Sequence, residues 1–163
     1  MTRKMFALLF AFLAGAIVGQ VAIPRLGAHF AQSGVVLAQT HKPLMITRLY
    51  TGPDNQSHVE EIELKFSPGT PAEVAKMMPV TGAELHRTAG GSFDDWHRGP
   101  RRQYVITLSG HGEVEVAGGK KISMGPGHID LVEDTTGKGH ITRTLGGEDR
   151  VTLQLPLADQ SGK

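Results

Sequence analysis

The sequence contains no cysteine, and this absence narrows its chemistry. The chain has no disulfide bond and no attachment point for a cysteine-linked lipid, and any metal site must use nitrogen and oxygen ligands. A cysteine nucleophile is excluded, and no serine stands in the strained Gly-x-Ser-x-Gly turn of hydrolases. No glycine-rich loop opens a helix to cradle phosphates. The sequence therefore indicates neither covalent hydrolysis nor nucleotide binding.

An excess of charge of either sign is also missing. The chain has 17 Lys and Arg residues against 16 Asp and Glu residues, for a formal net charge of +1. Arg3, Lys4 and Arg25 precede residue 39, where there is no acidic residue, so the remaining 14 basic residues face all 16 acidic ones. A nucleic-acid-binding domain normally carries a concentrated basic patch. The composition therefore predicts no nucleic-acid partner.

Residues 1–38 have the composition of a targeting segment. Arg3 and Lys4 precede an uncharged run over residues 5–19 that is dominated by Phe, Leu, Ala, Ile and Val. Such a segment is typical of an export signal, and it predicts a periplasmic or extracellular protein because the basic residues stay inside. The small-residue pattern that ends at Ala38 suits cleavage, whereas the length of the apolar stretch also suits a retained membrane anchor. Membrane contact is expected only through this segment.

From residue 39 onward, short apolar runs alternate with turn signals. Val114 and Val116, for example, alternate with Glu113 and Glu115, the pattern of a half-buried strand. Twenty-one Gly and nine Pro residues lie in the chain, many of them between such runs. Evenly spaced short strands predict an all-β barrel or sandwich. The predicted strands cover residues 45–50, 59–66, 83–88, 103–108, 112–117, 121–123, 128–132, 140–144 and 151–155.

Two polar blocks have the spacing of a known pair of motifs. The first covers residues 96–104 and precedes Gly110, and the second ends in Gly137-Lys138-Gly139-His140. Both blocks resemble the two motifs of the cupin superfamily, and residues 45–157 resemble small single-domain bacterial cupins. The resemblance implies one cupin domain over residues 39–163. Such a domain is an all-β, double-stranded β-helix, a jelly-roll-like barrel.

The cupin motifs imply a metal site inside the barrel. Two of the four expected ligands are present, as His97 in the first motif and His140 in the second. Gln103 stands where the family has Glu, and Gly99 stands where it has a second His. The resemblance therefore implies His97, His140 and Gln103 as ligands of a divalent iron, manganese, zinc, nickel or copper ion. It also places the Gln103 and His140 faces of their strands inside the barrel.

Several further residues are candidates for binding a small molecule. Arg101 can hold a carboxylate through a bidentate guanidinium contact, which predicts a small acid as the ligand. Trp96 can line the mouth of the barrel or merely plug it, and the alternative for Arg101 and Arg102 is that one of them packs on Trp96 and the other is exposed. Glu133 is a candidate binding residue, and it or Asp134 can supply the missing metal-binding carboxylate or be a plain loop charge. His86 lies on a predicted strand and can also face the cavity.

Three functions are compatible with these residues. The first is an exported small-molecule-binding cupin with a metal in its barrel, with or without activity as an isomerase or oxygenase on a small acid. The second is a metal-free exported module that binds its ligand through Arg101 and Gln103. The third is a structural oligomer with a vestigial site, and the resemblance implies a homodimer because cupins often pair through sheet edges. Fold alone does not choose among them.

Overall fold

The computed structural model describes residues 41–161, which form ten strands and one 3-10 turn, Ala117–Gly119. Within this range, no helix has the length and apolar character needed to span a membrane. The strands are β1 (Leu44–Thr51), β2 (Ser57–Leu64), β3 (Glu84–Thr88), β4 (Phe93–His97), β5 (Gln103–Ser109), β6 (His111–Glu115), β7 (Lys121–Met124), β8 (Ile129–Glu133), β9 (His140–Leu145) and β10 (Arg150–Pro156).

The strands pair into two sheets. One sheet has six strands in the order β2-β1-β8-β5-β10-β3, and the other has four in the order β4-β9-β6-β7. The eight strands from β3 to β10 thus form two antiparallel four-stranded sheets, with the chain passing repeatedly from one sheet to the other. This is the jelly-roll arrangement, and β1 and β2 widen one of its sheets. The predicted all-β, jelly-roll-like barrel is confirmed.

Apolar side chains form two clusters on opposite faces of the six-stranded sheet. Tyr104 belongs to the first cluster and follows Gln103, whose side chain faces the space between the sheets, so strand alternation places this cluster outside the barrel. Leu49 belongs to the second cluster and lies between the sheets. The first cluster contains Ile46, Tyr104, Leu131 and Leu157, and the second contains Leu49, Val114, Val116 and Met124. Part of the apolar packing therefore lies outside the barrel.

Nine of the ten strands correspond to runs predicted from the sequence, and β4 does not. Gly90 and Gly91 precede this strand, and Asp94 and Asp95 lie within it, all residue types that are depleted in strands. Its pairing with β9 also shifts register between Asp94 and His97, which disturbs the alternation that reveals a strand. Pairing with β9 therefore forms a strand that local preference does not predict.

The predicted targeting segment, residues 1–38, lies outside the described residues. Its cleavage or retention, and the export that it implies, stay predictions.

Candidate functional site

A cavity of about 260 Å³ lies between the two sheets. This volume is close to the lower end of the range typical of small-molecule sites. The apolar part of the cavity wall includes Leu49, Val114 and Met124. The ionisable and amide side chains around the cavity include His86, Asp94, His97, Gln103, Asp130, His140, Arg150 and Gln154. The sequence prediction that the Gln103 and His140 faces share the barrel interior is therefore confirmed.

The two histidines of the motifs lie against each other across neighbouring strands. His97 on β4 is in register with His140 on β9, and their ring centroids are 4.5 Å apart in an edge-on arrangement. His97 Nδ1 donates to the backbone oxygen of Asp95 at 2.7 Å, and His140 Nδ1 lies 2.6 Å from Asp134 Oδ2. These contacts occupy Nδ1 of both rings. Each ring thus keeps Nε2 as the nitrogen for a ligand.

Asp134 holds His140 from the side away from the cavity. Its side chain is fully buried, and Oδ2 accepts a hydrogen bond from Ser57 Oγ at 2.7 Å in addition to the His140 contact. Asp134 Oδ1 has no hydrogen-bond partner among the residues that the structure describes. A carboxylate that fixes Nδ1 sets the tautomer of the ring and makes Nε2 the lone-pair nitrogen. Asp134 therefore orients His140, and it does not line the cavity.

Gln103 lies on the cavity wall, and Arg101 lies beside it. Gln103 is 3 % exposed, and its Oε1 accepts a hydrogen bond from Arg101 Nε at 2.9 Å. The other end of the Arg101 guanidinium pairs with Glu84, at 2.5 Å from Nη2 to Oε2, and His86 Nε2 contacts the same oxygen. Arg101 precedes strand β5, which begins at Gln103, and it is not among the residues that line the cavity. The structure gives Arg101 a carboxylate partner of its own.

Trp96 and Glu133 lie outside the cavity as well. Lys138 Nζ is 3.7 Å from the centroid of the Trp96 ring, a cation–π contact at the rim of the barrel. Glu133 bonds Arg48 Nε at 2.5 Å and both Nε and Nη2 of Arg102. Burial alone would raise the pKa of Glu133, but the hydrogen bonds and charges of these two arginines hold that pKa below its ordinary value. Glu133 is therefore a member of an ion-pair network away from the histidines.

Arg150 is a cavity residue that the sequence did not single out. It is 7 % exposed, and Nη2 donates to Thr107 Oγ1 at 2.7 Å. In the described part of the chain it forms no ion pair, and Asp130 on the same wall is instead 2.9 Å from His128 Nε2. Burial lowers the pKa of Arg150, and the charge of Asp130 opposes that shift. A guanidinium stays protonated even so, so the cavity contains a buried cation without a bound carboxylate.

The strand order and the paired histidines together decide the fold. Eight strands in two antiparallel sheets enclose a cavity, and His97 and His140 meet in it from adjacent strands, as the two cupin motifs imply. This chain has the cupin fold. No family model and no curated protein matches it.

Solved cupin structures are similar to this one only at the level of the fold. The cupin domain of Schizosaccharomyces pombe Cnp3 is 16 % identical, with 72 % of this chain and 86 % of that chain covered and a TM-score of 0.37. A putative ethanolamine utilization protein Q from Salmonella typhimurium is 15 % identical, with coverages of 74 % and 99 % and a TM-score of 0.36. An RmlC-like cupin from Desulfovibrio desulfuricans is 14 % identical, with coverages of 55 % and 95 % and a TM-score of 0.35.

The side chains around the cavity include only part of the ligand set that the cupin motifs imply. Metal-binding histidines usually donate their other N–H to a carboxylate or a backbone carbonyl, as His140 and His97 do. Yet the described residues contain no group of three or more His, Asp or Glu side chains that could hold a metal ion. At the position of the second motif His, a Cβ on Gly99 would lie 2.5 Å from Val132 Cγ1, so a side chain there requires the Val132 side chain to move. Two imidazole nitrogens and the Gln103 amide remain as candidate ligands.

Proposed function

We propose that this protein is an exported small-molecule-binding cupin that holds a small carboxylic acid in its barrel, with Arg150 as the carboxylate partner. The observation that supports this proposal is the buried guanidinium on the cavity wall, which bonds Thr107 and Met124 but no acidic side chain of the described residues. An isolated buried charge is costly in free energy. Nε and Nη2 already bond Thr107 and Met124, so a ligand carboxylate that accepts charge-assisted hydrogen bonds from Nη1 would offset that cost.

Arg150 suits this role better than Arg101, the residue that the sequence suggested. The Arg101 guanidinium already pairs with Glu84 and lies outside the cavity, at a position that is one-third exposed. Its contact with Gln103 has a different consequence. Because Gln103 Oε1 accepts from Arg101 Nε, the Gln103 amide nitrogen is left to donate to a ligand oxygen. Arg101 is thus a positioning residue for Gln103.

The two histidines provide a second polar end for the same ligand. Their Nε2 atoms carry lone pairs when Nδ1 is the donor, so they accept hydrogen bonds from a hydroxyl or amine. Arg150, Gln103 and the histidine pair therefore combine donors for a carboxylate with acceptors for a hydroxyl, inside partly apolar walls formed by Leu49, Val105 and Val132. A short hydroxy acid has this combination of groups.

A thermal-shift series tests the proposal. Acetate, propanoate, butanoate and 2-hydroxypropanoate are compared with their uncharged amides on protein treated with a chelator. We expect the acids to raise the melting temperature in a concentration-dependent way, since a ligand that binds the folded state at 100 times its Kd adds about 2.7 kcal/mol of stability. The amides should have little effect. Equal shifts for acids and amides, or no shift with any acid, would exclude carboxylate recognition by the cavity.

Metal binding through His97, His140 and Gln103 stays a prediction, and elemental analysis tests it. With two imidazoles and an amide whose oxygen already bonds Arg101, we expect weak binding that a chelator reverses. Metal content should fall to background after dialysis, and the folded protein should persist. The His97→Ala/His140→Ala variant is the control. Stoichiometric iron, manganese, zinc, nickel or copper that survives dialysis and disappears in this control would show a complete site.

The proposal includes export and dimerisation, which are supported by two separate features of the chain. Export is supported by the basic and apolar pattern of residues 1–38. A homodimer is supported by β3, which ends its sheet and carries Leu85 with 71 % of its surface exposed. An edge strand with free backbone groups is a common pairing surface. Cell fractionation and the mass in solution test the two features independently.

A further inference from the structure

A second opening, here called the vestibule, adjoins the cavity at the first motif. It has a volume of about 520 Å³ and is lined by residues 96–100 together with Thr135 and Lys138. His97, Gly99 and Pro100 line both the vestibule and the cavity. The two spaces therefore share a wall, and His97 is part of it.

The charges around the vestibule have one sign. Arg98 and Lys138 line it, and no acidic side chain does. Arg98 is exposed and forms no ion pair in the part of the chain that the structure describes, while Lys138 Nζ lies over Trp96. The nearest acidic neighbour in sequence, Asp95, turns its carboxylate back to the Trp96 backbone N–H at 2.8 Å. Clefts lined by one sign of charge concentrate ions of the opposite sign.

The backbone around Lys138 is held in place by close contacts. A Cβ on Gly139 would lie 1.9 Å from the backbone oxygen of His97, so the loop before β9 touches the end of β4 directly. Lys138 N donates to Asn55 O at 3.1 Å, and Thr51 Oγ1 donates to Thr136 O at 3.0 Å. The backbone of Lys138 is therefore held in place beside the vestibule.

We propose that the ligand is a small acid with two anionic groups, one held by Arg150 in the cavity and the other by Arg98 and Lys138 in the vestibule. This inference rests on the proposed function, because it extends the ligand outward from Arg150. A monocarboxylic acid satisfies only the inner cation. In the proposed pose a linear diacid extends past His97 to both positively charged regions, and it gains affinity from a group that a monoamide of the same length lacks.

Calorimetric titration of the full-length protein tests the inference. The probes are butanedioic, pentanedioic and hexanedioic acid, each paired with its own monoamide. We expect at least one diacid to bind about 2- to 30-fold more tightly than its monoamide, since two exposed cations act together on the second anionic group. Higher salt should reduce this preference.

Variants separate the vestibule from the cavity. Arg98→Gln/Lys138→Gln should remove the diacid preference and leave the monoamide affinity unchanged. The matched control is Arg87→Gln/Lys120→Gln, which removes two exposed cations elsewhere and should retain the preference. Equal binding of every diacid and its monoamide to the unmodified protein would overturn the inference but leave the proposed function standing. Absence of binding by all six compounds would overturn both.

Discussion

Replacing Arg150 with Met is expected to abolish binding of small carboxylic acids without destabilising the fold. The guanidinium is the carboxylate partner in the cavity, and removing one member of a buried charge pair typically costs 2–5 kcal/mol of binding free energy, a loss of about 30-fold or more. The side chain forms no ion pair with the rest of residues 41–161. Met has a similar length and leaves no buried charge, so the free energy of unfolding should change by less than about 1 kcal/mol or rise.

Arg102 is a matched control for this prediction because both arginines are 7 % exposed. Arg102 bonds Glu133 and donates to the backbone oxygens of Asp159 and Ser161. Arg102→Met would leave Glu133 buried with fewer partners, and such a change costs about 3–5 kcal/mol of stability. Acid affinity should survive in the folded fraction.

Urea unfolding and calorimetric titration measure both quantities for the two variants. The expected pattern is reciprocal: Arg150→Met loses binding and keeps stability, and Arg102→Met loses stability and keeps binding. If Arg150→Met were as unstable as Arg102→Met, the Arg150 side chain would have a structural role. If it bound acids with unchanged affinity, the cavity would recognise them by other groups.

Gly139→Ala is expected to cost about 2–5 kcal/mol of stability and to reduce ligand affinity. Gly139 has a φ of +78°, which costs a residue with a Cβ about 1–2 kcal/mol. The new Cβ would also lie 1.9 Å from His97 O, and relieving such overlap costs about 1–3 kcal/mol more. To remove the overlap, β4 and the loop before β9 must move apart, and this movement takes His97 away from His140.

The Gly146→Ala variant separates the cost of the Cβ overlap from the cost of placing a residue with a Cβ at a positive φ. Gly146 has a φ of +75°, but its added Cβ would meet no atom within 4 Å. We expect Gly146→Ala to cost about 1–2 kcal/mol and to leave acid affinity unchanged. Chemical unfolding of both variants measures the difference. Equal costs would mean that the contact between Gly139 and His97 carries no strain and does not set the histidine geometry.

Most of the strands were predictable because each is specified by the residues of its own segment. Period-two alternation identifies strands such as β6, and Gly and Pro mark the turns between them. Strand β4 was missed because its formation depends on pairing with β9 across a register shift. Sequence patterns report local preference, and they do not report pairing between distant segments.

The site was predictable only in part, because sequence patterns do not report contacts between distant segments. His97 and His140 fall on motif positions, so the resemblance found them and the structure brings them together. Arg150 and Asp134 were missed in their actual roles. Arg150 shares its parity with the cavity-lining Thr152 and Gln154, a signal that β10 contained. The Asp134 contact with His140 depends on the conformation of the loop between β8 and β9, which no residue pattern specifies.

The most direct test of the central claim is the nuclear magnetic resonance signal of the arginine Nε–Hε groups while a small carboxylic acid is titrated into metal-free protein. The account predicts that the Arg150 signal, assigned by its loss in Arg150→Met, shifts saturably with the acid and that the Arg102 signal does not move. An acid that binds without moving the Arg150 signal, or that moves the Arg101 signal in its place, would contradict the account.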